Sequence, residues 1–171
     1  MTTQDSTKRP GAMRKAVLCA QRLRRYATLA WNILTRIASV DSMEHPLITP
    51  RPTKRILAIL FPSDRGLCGS LNTQMFRLAQ QYEALLKTHK NFESVEFLAV
   101  GKKGQQFLAR MGFKVAAAFG ALSNHPTFAD ILPVSRFVMQ EFLAGTYDQV
   151  TLLYPNCVTA LLQQPSARVL L

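Results

Sequence analysis

The chain has 171 residues, 48% hydrophobic and 18% charged, a balance that excludes a disordered polypeptide and leaves room for one domain with a real core. Its formal charge of +11 is uneven: before Ile56, 11 of the 21 basic residues face three acids, Asp5, Asp41 and Glu44. Such a region attracts phosphate, anionic lipid heads or acidic protein surfaces, and charge alone does not choose among them.

In chain order, residues 1–11 are polar, close on Pro10-Gly11 and read as a loose leader. Residues 12–40 contain neither Pro nor Gly. Within them Ala16, Ala20, Leu23, Ala27, Ala30, Leu34 and Ile37 alternate steps of four and three, a heptad seam of the coiled-coil type. Arg14, Arg22, Arg25 and Arg36 lie on the opposite face. A helix of 29 residues would be about 43 Å long at 1.5 Å per residue. Pattern alone leaves two readings open, a rod that meets another helix or chain and an amphipathic helix lying on its own domain. The Arg- and Ala-rich, acid-poor composition of 8–40 is shared with mitochondrial transit peptides, but a cleaved segment has no need of a sustained seam. Residues 41–53 carry Pro46, Pro50 and Pro52 and read as a linker that stops the helix.

From Lys54 the period changes. Strands are predicted at Ile56–Phe61, Val95–Val100, Phe113–Phe119 and Gln149–Tyr154, with a fifth beginning near Ala167–Leu171. Helices are predicted at Ser70–Lys90, Gln105–Met111 (closed by Gly112) and Phe128–Ala144, the last with Pro133 in its first turns, where a missing N–H is tolerated. Strand–helix alternation over 54–171 gives an α/β fold, a parallel Rossmann-like sheet with flanking helices.

The turn after the first strand, Ser63-Asp64-Arg65-Gly66-Leu67-Cys68-Gly69-Ser70-Leu71-Asn72, is the most distinctive stretch. A glycine turn between strand and helix could hold an anion. The G-x-x-G spacing of Gly66 and Gly69 fits neither G-x-G-x-x-G nor the P-loop. Lys102-Lys103 stand where a NAD ribose would want an acid, although lysines would suit a 2′-phosphate. Cys68 opens no phosphatase loop, because Gln74 stands where the arginine would be. His45, His89 and His125 do not pair at metal spacing with Cys or each other. Cys19, Cys68 and Cys157 are far apart and odd in number, and read as reduced thiols of an intracellular compartment. No apolar run approaches the ~20 residues needed to cross a bilayer. No catalytic set, cofactor site or metal site is therefore expected. Tyr26 and Trp31 among the arginines leave a nucleic-acid reading open, with no module motif behind it.

The turn closely resembles the Ser-Asp-Arg-Gly-Leu-Cys-Gly-Gly-Leu-Asn segment of the gamma subunit family of F-type ATP synthases, with Ser70 in place of the second paired glycine. Further likenesses follow in order. They are Ala12-Met13 with Leu23-Arg24-Arg25, His45-Pro46-Leu47, Lys54-Arg55, Val100-Gly101-Lys102-Lys103-Gly104, and Gln163-Gln164-Pro165 running to Leu170-Leu171. The resemblance implies a non-catalytic central rotor that couples proton flow to ATP synthesis or hydrolysis. It implies contacts with the alpha and beta subunits of the catalytic head, the epsilon subunit and the membrane c-ring, without direct membrane insertion or nucleic acid. It places Met13 against an acidic lever loop, with Arg14, Arg22 and Arg25 as rotor-interface candidates. Asp64, Arg65, Gly66, Leu67, Cys68, Gly69, Leu71 and Asn72 become its signature. The implied location is peripheral, on the cytoplasmic face of a bacterial inner membrane or the matrix face of a mitochondrial one. The family's C-terminal shaft helix has no counterpart up to Leu171, so a truncated copy, a fragment or a helix supplied by another chain is expected, and torque transmission by this chain alone stays a hypothesis.

Overall fold

The computed structural model describes residues 26–37, 45–47, 49–64, 68–120, 127–159 and 162–171. Contacts divide the chain into two units, Met1–His45 with Cys157–Gln163, and Pro46–Asn156 with Gln164–Leu171. In the first, residues 26–37 are helical (α1). The seam positions there are open: Ala27 and Leu34 are exposed, Leu34 by 53%, while Ala30 and Ile37 are half-buried. Met13, Arg14, Arg22 and Arg25, and most of the predicted 12–40 helix, lie outside the described residues.

The second unit is built on strands β1 (Arg55–Leu60), β2 (Ser94–Val100), β3 (Val115–Phe119), β4 (Gln149–Cys157) and β5 (Gln163–Val169). Helices α2 (Leu71–Leu86), α3 (Lys102–Met111) and α4 (Phe128–Leu143) connect the first four. The sheet order is β3-β2-β1-β4-β5. β1 pairs in parallel with β2 on one side and β4 on the other, and β2 pairs in parallel with β3.

The alternation of side chains along β1 sorts the core onto two faces. Ile56, Ala58 and Leu60 point to the face where Met75, Ala79 and Leu86 of α2 and Leu108 of α3 pack. Leu57 and Ile59 point to the other, against Val134, Val138 and Phe142 of α4. Both faces of β1 are thus dry, which is why it reads as an unbroken apolar run. Each large side chain removed from water this way contributes roughly 1.5–3 kcal/mol. The fold is a three-layer Rossmann-like body, as the alternation required.

Several details differ from the sequence reading, among them α2, which ends at Leu86 rather than Lys90, and β4, which runs on to Cys157. The fifth strand begins at Gln163, four residues earlier than predicted. It runs against β4: Val158 N–H donates to Leu162 O (2.9 Å), while Val150 N–H donates to Leu171 O (3.0 Å). Polar Gln163-Gln164 and Pro165 hid it. α3 begins at Lys102 rather than Gln105, so residues 102–104, expected in the turn after the second strand, are helical. Pro133 is the sixth residue of α4, beyond the first turn, so α4 forgoes one backbone hydrogen bond there. The Pro-rich linker is also not a mere spacer. Arg51 donates from Nη1 to Phe142 O (3.0 Å) and from Nη2 to Pro46 O (2.9 Å), with its guanidinium 4.3 Å from the Phe142 ring centroid. A cation at the last carbonyls of α4 suits the helix dipole and straps residues 46–51 to the body.

At the amino end of the sheet, Asp148 fastens β1 beside β4. Its Oδ2 accepts from Arg55 N–H (2.9 Å) and Lys54 N–H (3.3 Å), and its Oδ1 from Arg55 Nη2 (2.9 Å). The Arg55 guanidinium, aided by these backbone amides, holds the Asp148 carboxyl below its usual range. Lys54 pairs with Glu93 at 3.1 Å. The basic pair before β1 is therefore absorbed by structure. On the α2 face, Tyr82 O–H donates to buried Thr151 (2.8 Å), and burial pushes the Tyr82 phenol up. On the α4 face, burial and the Tyr147 O–H bond to Glu96 (2.8 Å) raise the Tyr147 phenol further.

Candidate functional site at the carboxyl end of the sheet

In an open α/β sheet, the crevice lies where the strand order reverses, beyond the carboxyl ends of the strands. Here that point falls between β1 and β4, and the turn that leads to α2 follows β1 directly. Phe61 N–H donates to Leu153 O (2.9 Å) and carries the β1–β4 ladder one residue past the strand. Beyond it the chain stops behaving as a strand.

Two side chains shape the turn. The Asn72 amide clasps the backbone of Ser63 from both sides: Ser63 N–H donates to Asn72 Oδ1 (2.8 Å), and Asn72 Nδ2 donates to Ser63 O (2.7 Å). These two part-buried bonds join residues nine apart and set the start of α2. Gly69 supplies the reversal at φ +57°, open to solvent on the side a Cβ would occupy. Ser70 is the residue just before α2; its carbonyl accepts from Gln74 N–H (2.9 Å) and its hydroxyl from Gln74 Nε2 (2.8 Å).

Asp64 works at a greater distance. Its Oδ1 accepts from Lys103 N–H (3.0 Å) in the first turn of α3, 39 residues later. The residue before α3 is Gly101, whose φ of +97° suits glycine alone and which has no side chain with which to cap its own helix. Asp64 caps α3 in its place, from the neighbouring turn. A Cβ on Gly101 would collide with the Asp64 carboxylate, with Cγ only 2.7 Å away. Gly104 is a second close approach, where a Cβ would stand 3.1 Å from Pro62 Cγ. Pro62, Ser63 and Asp64 of one turn are thus seated on Gly101–Gly104 of the next. Gly101 N–H also donates to Phe119 O (2.9 Å), which ties in the end of β3.

The chemistry of this arrangement is a brace. A carboxylate already occupies the amide end of α3, so charge and space there oppose a phosphate. Among the described signature residues, the structure joins Asp64 to Gly101 and Lys103, and Asn72 to Ser63. Leu71 starts α2, donating its N–H to Cys68 O (3.3 Å). Arg65, Gly66 and Leu67 lie outside the described residues. Cys68 and Cys157 are half-buried thiols, and Cys157 Sγ donates to Thr159 O (3.2 Å). Among the described residues no group of three or more His, Cys, Asp or Glu side chains could hold a metal ion, and no helix is long and apolar enough to cross a membrane. The role of Gly101 was legible only as a turn residue, and nothing in the sequence pointed from Asp64 to it.

The reversed strand order, with Asp64 and Asn72 bracing the turn after β1, defines a Rossmann-like α/β protein. A family model described as ATP synthase matches residues 11–171. The ATP synthase gamma chain of Desulfitobacterium hafniense is 34% identical over 155 residues, which are 90% of this chain and 53% of that one. That of Pelotomaculum thermopropionicum is 30% identical over 170 residues, 96% of this chain and 58% of the other. A solved chain from the central stalk and c-ring of the Tetrahymena thermophila mitochondrial ATP synthase shares the fold, with a TM-score of 0.68 at 22% identity, covering 95% of this chain and 68% of that one. The chain belongs to the ATP synthase gamma family, and it spans about half the length of the curated relatives it matches.

Proposed function

We propose that this chain acts as a gamma-type central-stalk subunit of an F-type ATP synthase, without chemistry of its own. The single observation that carries the reading is the family match running from residue 11 to residue 171, across both the basic helical segment and the α/β body. In this reading residues 12–40 are the shaft helix and residues 54–171 the foot, with 46–53 strapped to the foot. Met13, Arg14, Arg22 and Arg25 face acidic loops of the alpha and beta subunits, and the foot meets the epsilon subunit and the c-ring. The subunit sits peripherally on the cytoplasmic face of a bacterial inner membrane. The exposed Leu34 supports a shaft role, because a seam leucine left 53% open in α1 has apolar surface to offer a coiled-coil partner. The nucleotide-module alternative is weakened at its lysine pair, because the Asp64 carboxylate already sits at the end of α3 that Lys102-Lys103 begin.

The test is co-purification. The tagged full chain, expressed with the alpha and beta subunits of its host, is expected to elute in one complex with them and to raise their ATP hydrolysis. The catalytic subunits eluting without it, at low and at physiological salt alike, would overturn the assignment.

A further inference from the structure

The two lateral edges of the sheet are not alike. β5 carries Pro165 inside the strand and exposed Gln163, Gln164 and Arg168, devices that discourage another strand from pairing. β3, Val-Ala-Ala-Ala-Phe, has neither a proline nor a charge within it, and the one irregularity in its ladder is a register shift against Phe97 and Leu98, after which Ala117, Ala118 and Phe119 pair regularly with β2. Its inner side is spoken for, since Phe97 N–H donates to Lys114 O (2.8 Å) and Gly101 N–H to Phe119 O (2.9 Å). In a parallel ladder with Ala99 opposite Ala118, that phase turns the N–H and C=O of Ala118 away from β2. β3 is last in the strand order, so these outward groups have no ladder partner among the described residues. Val115 and Ala118 are exposed, with Val115 at 40%.

Charge says what fits there. No Asp or Glu occurs from residue 97 to residue 129, a stretch that holds Lys102, Lys103, Arg110 and Lys114. Lys114 immediately precedes β3, and Lys102 follows the glycine bonded to its last carbonyl, so both ends of the edge carry exposed cations. A second copy of this chain would bring the same cations face to face. An acidic strand would meet opposite charges at both ends. We infer that β3 is a docking edge for an extended, acidic segment of another protein, which adds a sixth strand to the sheet by backbone hydrogen bonding. The small alanine side chains leave such a strand a clear approach. Backbone pairing supplies the affinity and the flanking lysines the choice of sign.

The test uses the full chain and three synthetic ten-residue peptides: alternating Glu-Val, alternating Lys-Val, and Glu-Pro. The Glu-Val peptide is expected to slow amide hydrogen exchange at Val115 and Ala118, with no change in β5, and to lose this effect as salt shortens the screening length from about 30 Å to about 8 Å. The Lys-Val peptide should leave β3 unprotected, as should the Glu-Pro peptide, which has the charge but keeps only the glutamate N–H groups and has φ fixed near −65° at every proline, away from an extended strand. Ala118→Pro removes only an outward N–H, which an edge strand tolerates, and should abolish protection while the chain still melts cooperatively. Should that variant fail to fold, the surface reversal Lys102→Glu with Lys114→Glu should switch the preference from the Glu-Val to the Lys-Val peptide. Protection of β3 by Glu-Pro, equal protection of β5, or no protection with any peptide would each overturn the inference. So would polyphosphate protecting β3 as well as the Glu-Val peptide does.

Discussion

At the amino end of the sheet the fastening is ionic, with Asp148 gathering the Arg55 guanidinium and two backbone amides from the start of β1. At the carboxyl end it is stereochemical, with Asp64 and Asn72 holding backbone N–H and C=O groups across turns that only glycine lets approach. The difference matters for what each end tolerates. An ionic latch adjusts to pH, salt and small displacements. A carboxylate lying against a glycine Cα does not adjust, because any side chain there collides. Asp64 and Asn72 of the turn after β1 sit at the end with no slack.

The largest effect that separates the two ends should come from Gly101→Ala. It forces a non-glycine residue to φ +97° and expels the Asp64 carboxylate. Backbone strain of about 1–3 kcal/mol and the loss of a charge-assisted bond of about 1.5–3 kcal/mol together predict about 3 kcal/mol or more in urea unfolding. In a cycle with Asp64→Ala, the double variant should cost less than the sum, since the colliding partner is gone. Strict additivity would break the brace. Next, Asn72→Ala should cost about 1–3 kcal/mol by leaving both Ser63 groups unpaired. Asn72→Asp should recover only part, keeping the acceptor but not the donor.

Asp148→Asn belongs to the forgiving end and should cost about 1 kcal/mol at pH 7, given the exposure of Arg55. Its pH dependence fixes the sign. The folded carboxyl titrates below its ordinary value of about 3.9, so its contribution is present above that pH and fades as pH falls through the folded value. Melting curves of the two proteins should therefore stay apart above about pH 5 and converge in acid. Divergence in acid would contradict the latch. Smallest of all, Arg51→Ala loses a helix-end cation and a ring stack, an expected cost of about 0.5–1 kcal/mol in the same assay.

How much of this could be read in the chain follows from the range of each interaction. The strands that form the core, β1 and β2, announced themselves by apolar runs, because burial on both faces leaves a continuous signal. The helices α2 and α4 showed their period, and their ends fell within a few residues of prediction. α3 lost its first residues to the turn expected after the second strand, and the reason for Gly104 being small is Pro62, far away in the sequence. β5 had little apolar signal because it is an edge strand. The signature turn was plain as a motif. Its working contacts were not, since Asp64–Lys103 and Arg55–Asp148 join residues 39 and 93 apart and obey no period. Periodicity reports burial, whereas a cap supplied from another turn leaves no pattern to count.

The most direct measurement of the brace is amide hydrogen exchange at Lys103 in the full chain. Slow exchange is expected in the native sequence, about tenfold or more faster exchange in Asp64→Ala, and most of the protection restored in Asp64→Asn, whose side-chain oxygen can still accept. Unchanged protection at Lys103 in Asp64→Ala would contradict the claim that this turn holds the neighbouring helix.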